Sequence, residues 1–166
     1  MKTAHTHPLW RDVGHQDTDT WWQHASSADQ DVVVVGAGIA GLSIALELAR
    51  SGRSVQVIDR HGIGAGETLR TSAHLASALD DRFTALARYH GEEGARHAAA
   101  SHTAAIEWMA QVAPACEPDC DFQYIPGYLF SCRKHLDDLA KEGQAGADAG
   151  LAGAIEQDGL EALPAL

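Results

Sequence analysis

The residues best suited to chemistry are three glycines and one carboxylate. Gly36, Gly38 and Gly41 follow an apolar, β-branched run, and Asp59 ends a second apolar run downstream. In this spacing the first glycine allows a tight turn, the second admits a phosphate close to the backbone, and the third allows close helix packing. A carboxylate about 20 residues further on can accept both hydroxyls of an adenosine ribose. The pattern predicts a dinucleotide-binding site.

The flanking sequence predicts the elements that position these groups. Residues 31–35 are typical of a strand buried on both faces of a parallel sheet. An amphipathic helix follows, and Gly52 is predicted to end it by adopting a left-handed backbone conformation. Residues 54–58 predict a second strand. Together they predict a right-handed β-α-β unit. Free N–H groups at the helix start, with about half a positive charge of helix dipole, are expected to face the phosphates.

Composition narrows the possible partners. The chain has 166 residues, a formal net charge of −11 and no basic stripe, which argues against nucleic acid or an anionic membrane as partner. It has no signal-peptide pattern and no apolar run long enough to cross a bilayer, so we expect a cytoplasmic protein. The three cysteines form no C-x-x-C pair and the histidines no H-E-x-x-H motif, so no metal site is predicted.

The rest of the chain gives weaker signals. Residues 1–30 predict an extended arm whose tryptophans dock on the protein body or, alternatively, bind a partner. Residues 80–112 predict two helices with a break at Gly91 and Gly94. Further elements are predicted as a β-hairpin at 122–125 and 128–131, a helix at 136–149 and a short strand at 151–157.

The segment after Asp59 separates the cofactor classes. A nicotinamide dehydrogenase usually continues into another crossover helix, whereas here a Gly-rich loop at 60–67 leads into a run of polar and small residues at 68–75. Such a run can lie along an extended ligand and donate N–H and hydroxyl groups to it.

Residues 31–79 resemble the FAD-binding segment of the D-amino-acid oxidase and glycine oxidase superfamily of flavoproteins. The block at 71–75, the Leu9-Trp10 pair and the later run at 127–130 are most similar to bacterial FAD-dependent oxidoreductases that often carry a C-terminal Rieske domain. The resemblance implies an α/β fold with a truncated, Rossmann-like FAD-binding domain. It implies an arm at 1–30, an FAD-binding domain with an incomplete sheet at 31–112, and the start of an antiparallel substrate domain at 113–166.

The resemblance also implies the cofactor contacts. The glycines would hold the diphosphate, Asp59 the adenosine ribose and Arg60 the adenine side, although relatives usually have Glu at the position of Asp59. Residues Arg70 to His74 would pass near the phosphates and the flavin. His74 would hydrogen-bond or pack there, or bond covalently to the flavin as a histidine does in some relatives. The implied FAD contacts are Gly36, Ala37, Gly38, Ile39, Ala40, Gly41, Asp59, Arg60, Arg70, Thr71, Ser72, Ala73 and His74.

The implied reaction is FAD-dependent oxidation of an amine or amino-acid C–N bond in a small-molecule substrate. No catalytic residue can be named in the chain. We expect it to be the amino-terminal piece of a longer enzyme, inactive by itself, because one β-α-β unit cannot bury both faces of a sheet. A non-catalytic dinucleotide-binding fragment and part of an NAD-dependent dehydrogenase remain alternatives.

Overall fold

The computed structural model describes residues 28–116, 120–130 and 136–151. The chain divides into two compact units, Met1–His74 and Leu75–Leu166. The described part contains a small parallel sheet and three α-helices, so the predicted α/β class is confirmed.

The first unit is the predicted β-α-β unit. Strand β1 spans Val32–Val35, helix α1 spans Ile39–Arg50 and strand β2 spans Val55–Ile58. The two strands are parallel and in register, with Val32 opposite Val55. Their β-branched side chains suit a pleated surface, whereas the Ala- and Leu-rich sequence of α1 suits a helix. The carboxyl ends of both strands therefore meet at the edge where α1 begins.

Helix α1 ends at Arg50, and Gly52 just beyond it has the predicted left-handed conformation, with φ of +84°. The N–H of Gly52 donates to the carbonyl of Ala49 at 2.9 Å, and the N–H of Arg53 donates to the carbonyl of Leu48 at 3.1 Å. This pair of bonds is the Schellman arrangement, in which a left-handed residue satisfies the last helical carbonyls. Glycine adopts this conformation without the steric cost of a Cβ.

Among the described residues of this unit, helix α1 covers one face of the sheet. Side chains along β1 alternate between half-buried and exposed, and Val35 is 81% exposed. Helix α1 contacts both strands and buries Ala45. The prediction that the first strand is buried on both faces is therefore wrong in the part of this unit that the structure describes, where α1 covers one face.

The elements that the structure describes in the second unit are helices. Helix α2 spans Phe83–Val112, a short 3-10 helix follows at Ala113–Ala115, and helix α3 spans Leu136–Asp148. Gly91 has φ of +74° and ψ of 168°, which interrupts the helical conformation and confirms the predicted break. Helix α3 begins at the predicted residue and ends one residue before its predicted end at 149.

The core of this unit lies between α2 and α3, and the carboxylate of Glu142 is buried beside it. The buried cluster consists of Phe83, Ala95, Ala99 and Ala149. Glu142 of α3, only 7% exposed, accepts hydrogen bonds from the N–H groups of Phe83 and Thr84 and from the Thr84 hydroxyl. The carboxylate thus supplies acceptors to the first turn of α2, where backbone N–H groups have no partner within the helix.

Three predictions concern residues outside these helices. Residues 120–130 contain no strand, and Tyr124 and Phe130 are 72% and 78% exposed, so the predicted hairpin is wrong. An isolated pair of strands is marginal without a third strand or a helix to cover it. The predicted arm falls almost wholly outside the described residues, as does the strand at 151–157 beyond its first residue. Within the described residues, none of the helices has the length and hydropathy that a bilayer span requires.

Candidate functional site

The site is built on the glycine bend, which we define as residues 36–41 between β1 and α1. Gly36 has φ of +108°, and its N–H donates to the carbonyl of Ile58 at 2.8 Å, which ties the start of the bend to the end of β2. A Cβ on Gly41 would collide with the carbonyl oxygen of Gly36. Gly41 therefore allows the close approach of helix and strand that its spacing predicts.

Asp59 follows β2 directly and binds the bend. Its Oδ2 accepts a hydrogen bond from the N–H of Ala37 at 2.9 Å, and its Oδ1 accepts from the N–H groups of His61 and Gly62 at 2.7 and 3.1 Å. These three donors, Ala37 foremost, lower the pKa of Asp59 from 3.8 to about 2. Because of this low pKa, the carboxylate beside the bend is ionised at neutral pH. It lies at an exposed position.

The loop after Asp59 closes over the bend at two further points. The N–H of Gly64 donates to the carbonyl of Ala37 at 2.7 Å, so Ala37 is held on both sides and is only 2% exposed. The hydroxyl of Thr68 accepts from the N–H of Ile39 at 3.0 Å. A 3-10 helix at Glu67–Arg70 presents this hydroxyl to the start of α1.

Thr68 is a residue that the sequence reasoning missed. We predicted that the N–H groups at the start of α1 are free, and this is wrong at Ile39 because Thr68 supplies an acceptor. A Cβ on Gly38 would lie 3.3 Å from the Thr68 hydroxyl oxygen, so this glycine also makes room for the threonine. The only sequence signal was the hydroxyl within the polar run after the Gly-rich loop.

The other predicted contacts lie in exposed positions with local hydrogen bonds. Arg60 is exposed, and Arg70 donates from Nη1 to the carbonyl of Gly66 at 3.1 Å. The hydroxyl of Thr71 accepts from the N–H of Ala73 at 3.2 Å, and Ala73 has φ of +58°. The Ser72 hydroxyl accepts from the N–H of His74 at 3.4 Å. The structure thus brings Ala37, Ile39 and Asp59 together at the bend, and the roles of the downstream residues stay predictions.

Comparison with known proteins decides the family. A family model described as DAO, FAD dependent oxidoreductase, matches residues 31–165. The chain belongs to this FAD-dependent oxidoreductase family. FAD is therefore the cofactor of the family, and the predicted relationship to D-amino-acid oxidase-like flavoproteins is confirmed.

Curated relatives share only part of their length with this family member. The chain is 26% identical to the Bacillus subtilis protein YhfW, described as a Rieske 2Fe-2S iron-sulfur protein, over 81% of this chain and 26% of YhfW. It is 33% identical to gamma-glutamylputrescine oxidoreductase of Escherichia coli, over 60% of this chain and 23% of that protein. OrdL of Haemophilus influenzae, described as an oxidoreductase, is 28% identical over 66% of this chain and 25% of its own.

The chain thus spans about a quarter of the length of these relatives. No solved structure matches it at a comparable level of significance.

The glycine bend of this family member suits the diphosphate of FAD chemically. A Cβ on Gly36 would meet nothing within 4 Å, so the backbone there faces open space. The methyl group of Ala37 is buried, so the exposed side chains of the bend are those of Ile39 and Ala40. Backbone N–H groups at a helix start, with the dipole behind them, favour a phosphate group. Asp59 adds an acceptor for hydroxyl groups beside it.

Proposed function

We propose that the chain forms the amino-terminal, FAD-binding part of an oxidoreductase that oxidises a C–N bond of an amine or amino acid. Family membership supports the flavin. The name of the gamma-glutamylputrescine oxidoreductase relative supports an amine substrate. FAD, when bound, would supply the acceptor for the hydride that leaves the substrate carbon. The chain's own residues would bind and orient this cofactor.

The observation that carries the proposal is the joint geometry of the bend and Asp59. A glycine turn lies at a helix start, and Oδ2 of an ionised carboxylate lies 2.9 Å from the amide nitrogen of Ala37. In the proposal the bend holds the diphosphate and Asp59 the adenosine ribose. Arg60 lies on the adenine side, and residues 70–74 run near the phosphates and the flavin, with His74 either hydrogen-bonded or covalently attached.

The uncovered sheet supports the wider domain assignment. Val33 and Val35 of β1 and Ile58 of β2 are 51%, 81% and 45% exposed, which is more than a parallel sheet normally tolerates. We therefore propose that residues 31–112 belong to a larger FAD-binding domain and that residues 113–166 begin an antiparallel substrate domain. A cytoplasmic location and inactivity of these 166 residues by themselves belong to the same proposal.

The proposal is tested on the purified natural gene product. We expect a flavin absorbance spectrum that is bleached when a suitable amine or amino acid is added anaerobically. Gly41→Ala introduces a Cβ that collides with the Gly36 carbonyl, and overpacking of this kind costs about 1–3 kcal/mol. FAD affinity, measured by flavin fluorescence, should fall about tenfold or more.

Gly143→Ala is the matched control. Gly143 lies on α3, and a Cβ there would meet nothing within 4 Å, so FAD affinity should stay unchanged. A product that binds NAD and no flavin would support the dehydrogenase alternative. A flavin that no amine or amino acid reduces would support the non-catalytic one.

A further inference from the structure

Two cysteines lie together where helix α2 ends. The Sγ of Cys116 lies 3.9 Å from the carbonyl oxygen of Val112, and the Sγ of Cys120 lies 3.9 Å from the carbonyl oxygen of Ala113. These are neighbouring carbonyl groups at a helix end, where donors come from outside the helix and a thiol can serve as a weak donor. Both cysteines are exposed thiols, so a small oxidant can reach them from solvent.

One carbonyl oxygen contacts both cysteines. The oxygen of Ala113 accepts the backbone N–H of Cys116 at 3.0 Å, and the Sγ of Cys120 lies 3.9 Å from the same oxygen. The chain therefore returns at Cys120 to the group that Cys116 already contacts. Cys116 directly follows the 3-10 helix Ala113–Ala115, in which Pro114 fixes one backbone angle. The first cysteine of the pair is thus held in position by its own backbone.

This placement suits a disulfide bond. A disulfide requires sulfur atoms about 2.05 Å apart and Cα atoms about 4.4–6.8 Å apart. Since Cys116 and Cys120 contact one oxygen, we expect local adjustment of the two side chains and of the chain at Cys120 to meet this requirement. A metal site has less support, because the described residues contain no group of three or more histidine, cysteine or acidic side chains that could hold a metal ion.

We propose that Cys116 and Cys120 form a reversible intrachain disulfide when the protein reacts with a low-molecular-weight disulfide. The thiolate of one cysteine attacks the small disulfide, forms a mixed disulfide and releases one small thiol. The thiolate of the other cysteine attacks the protein sulfur of the mixed disulfide and releases the second small thiol. Two protein thiols are oxidised, each proton passes to a departing thiolate, and one small disulfide is reduced. This inference does not depend on FAD binding.

The bond is tested by mapping cysteine pairs in the purified natural gene product. The reduced protein is incubated with glutathione disulfide, the remaining thiols are alkylated, and the chain is digested with trypsin and with Asp-N, which cleaves before aspartate. Cleavage before Asp119 and Asp121 places Cys116, Cys120 and Cys132 on three different peptides. Mass spectrometry then identifies each pair separately.

We expect a crosslinked peptide pair that contains Cys116 and Cys120. It should exceed the glutathione adducts of these two cysteines about tenfold, because a neighbouring thiol competes at an effective concentration in the mM range. Excess reduced glutathione should restore both thiols. A crosslink from either cysteine to Cys132, or glutathione adducts alone, would overturn the proposal.

The pairing also predicts how the two cysteines titrate. In mixtures of reduced and oxidised glutathione, Cys116 and Cys120 should lose their reactivity toward the alkylating reagent at the same redox ratio, because one bond consumes both thiols. Loss of reactivity at two different redox ratios would show that the two cysteines are not partners.

Serine variants provide the controls. In Cys116→Ser and in Cys120→Ser the remaining cysteine of the pair should stop at the mixed disulfide with glutathione, since the second sulfur is missing. Serine still offers a donor to the carbonyl groups at the helix end. Cys132→Ser is the matched control and should leave formation of the bond unchanged. An equal loss of the bond in all three variants would contradict the specific pairing.

Discussion

Asp59 and Glu142 both bind backbone N–H groups of segments far away in sequence, but they lie in opposite surroundings. Asp59 is exposed and binds Ala37 in the glycine bend. Glu142 is 7% exposed and binds Phe83 and Thr84 at the start of α2, beside the core of the second unit. Both supply acceptors to backbone groups that would otherwise lack them.

The difference separates a structural carboxylate from a candidate ligand-binding one. Glu142 is enclosed by the residues that it binds, and its neighbour Phe83 is 2% exposed, so a ligand has no access to its oxygens. Asp59 lies at the surface beside the glycine bend and keeps one acceptor position free. The two residues carry the same kind of acidic group. What distinguishes Asp59 as a candidate ligand-binding residue is an acceptor position that a ligand can reach.

The largest effect is expected for Glu142→Ala. The substitution removes the acceptor for two N–H groups and one hydroxyl, and unpaired buried donors are costly. We expect a loss of about 3 kcal/mol in the free energy of unfolding, measured by urea denaturation. Glu93→Ala, an exposed change on α2, should stay within about 0.5 kcal/mol of the wild type. Equal stability of both variants would show that Glu142 is not a structural carboxylate.

A smaller effect is expected at Thr68, which caps α1 from the neighbouring loop. Thr68→Val keeps the shape of the side chain but removes the acceptor for the N–H of Ile39. By analogy with helix caps, we expect a loss of about 1 kcal/mol in the free energy of unfolding of this unit. Thr68→Ser retains the hydroxyl and should recover most of that loss. If valine and serine variants unfold alike in urea, the hydroxyl contributes nothing to the helix start.

The features that the sequence predicted correctly are those that depend on local sequence pattern. The β-α-β unit follows from apolar runs and glycine spacing, and the left-handed Gly52 and the break at Gly91 follow from single residues with special backbone freedom. It did not predict the bond between Glu142 and Phe83, because the two residues are 59 positions apart and neither has a local signature. The hydrogen bond between Ile39 and Thr68 was not predicted for the same reason, because only the conformation of the loop brings Thr68 to Ile39.

The failure of the hairpin prediction also has a physical cause. The aromatic and aliphatic residues at 122–130 have a strong intrinsic preference for strands, but a strand needs a pairing partner and cover on one face. Tyr124, Ile125 and Phe130 are instead mostly exposed. The intrinsic preference of these residues for strands therefore did not determine the conformation of the segment.

The smallest effect should come from acidification, which tests the exposed carboxylate alone. The pKa of Asp59 is lowered to about 2 by the N–H groups of Ala37, His61 and Gly62, with a minor contribution from the charge of His61. A depressed folded-state pKa means that the stabilisation is complete above the unfolded value of 3.8 and is lost as pH falls through about 2.

The amide chemical shift of Ala37 reports this titration directly. At low salt it should change with a midpoint near pH 2, and the change should be absent in Asp59→Asn. The effect on global stability should be small, because solvent screens an exposed group. A midpoint near 4 would mean that the N–H groups do not hold the ionised carboxylate. The bend would then lack the fixed acceptor that distinguishes Asp59 from an ordinary surface aspartate.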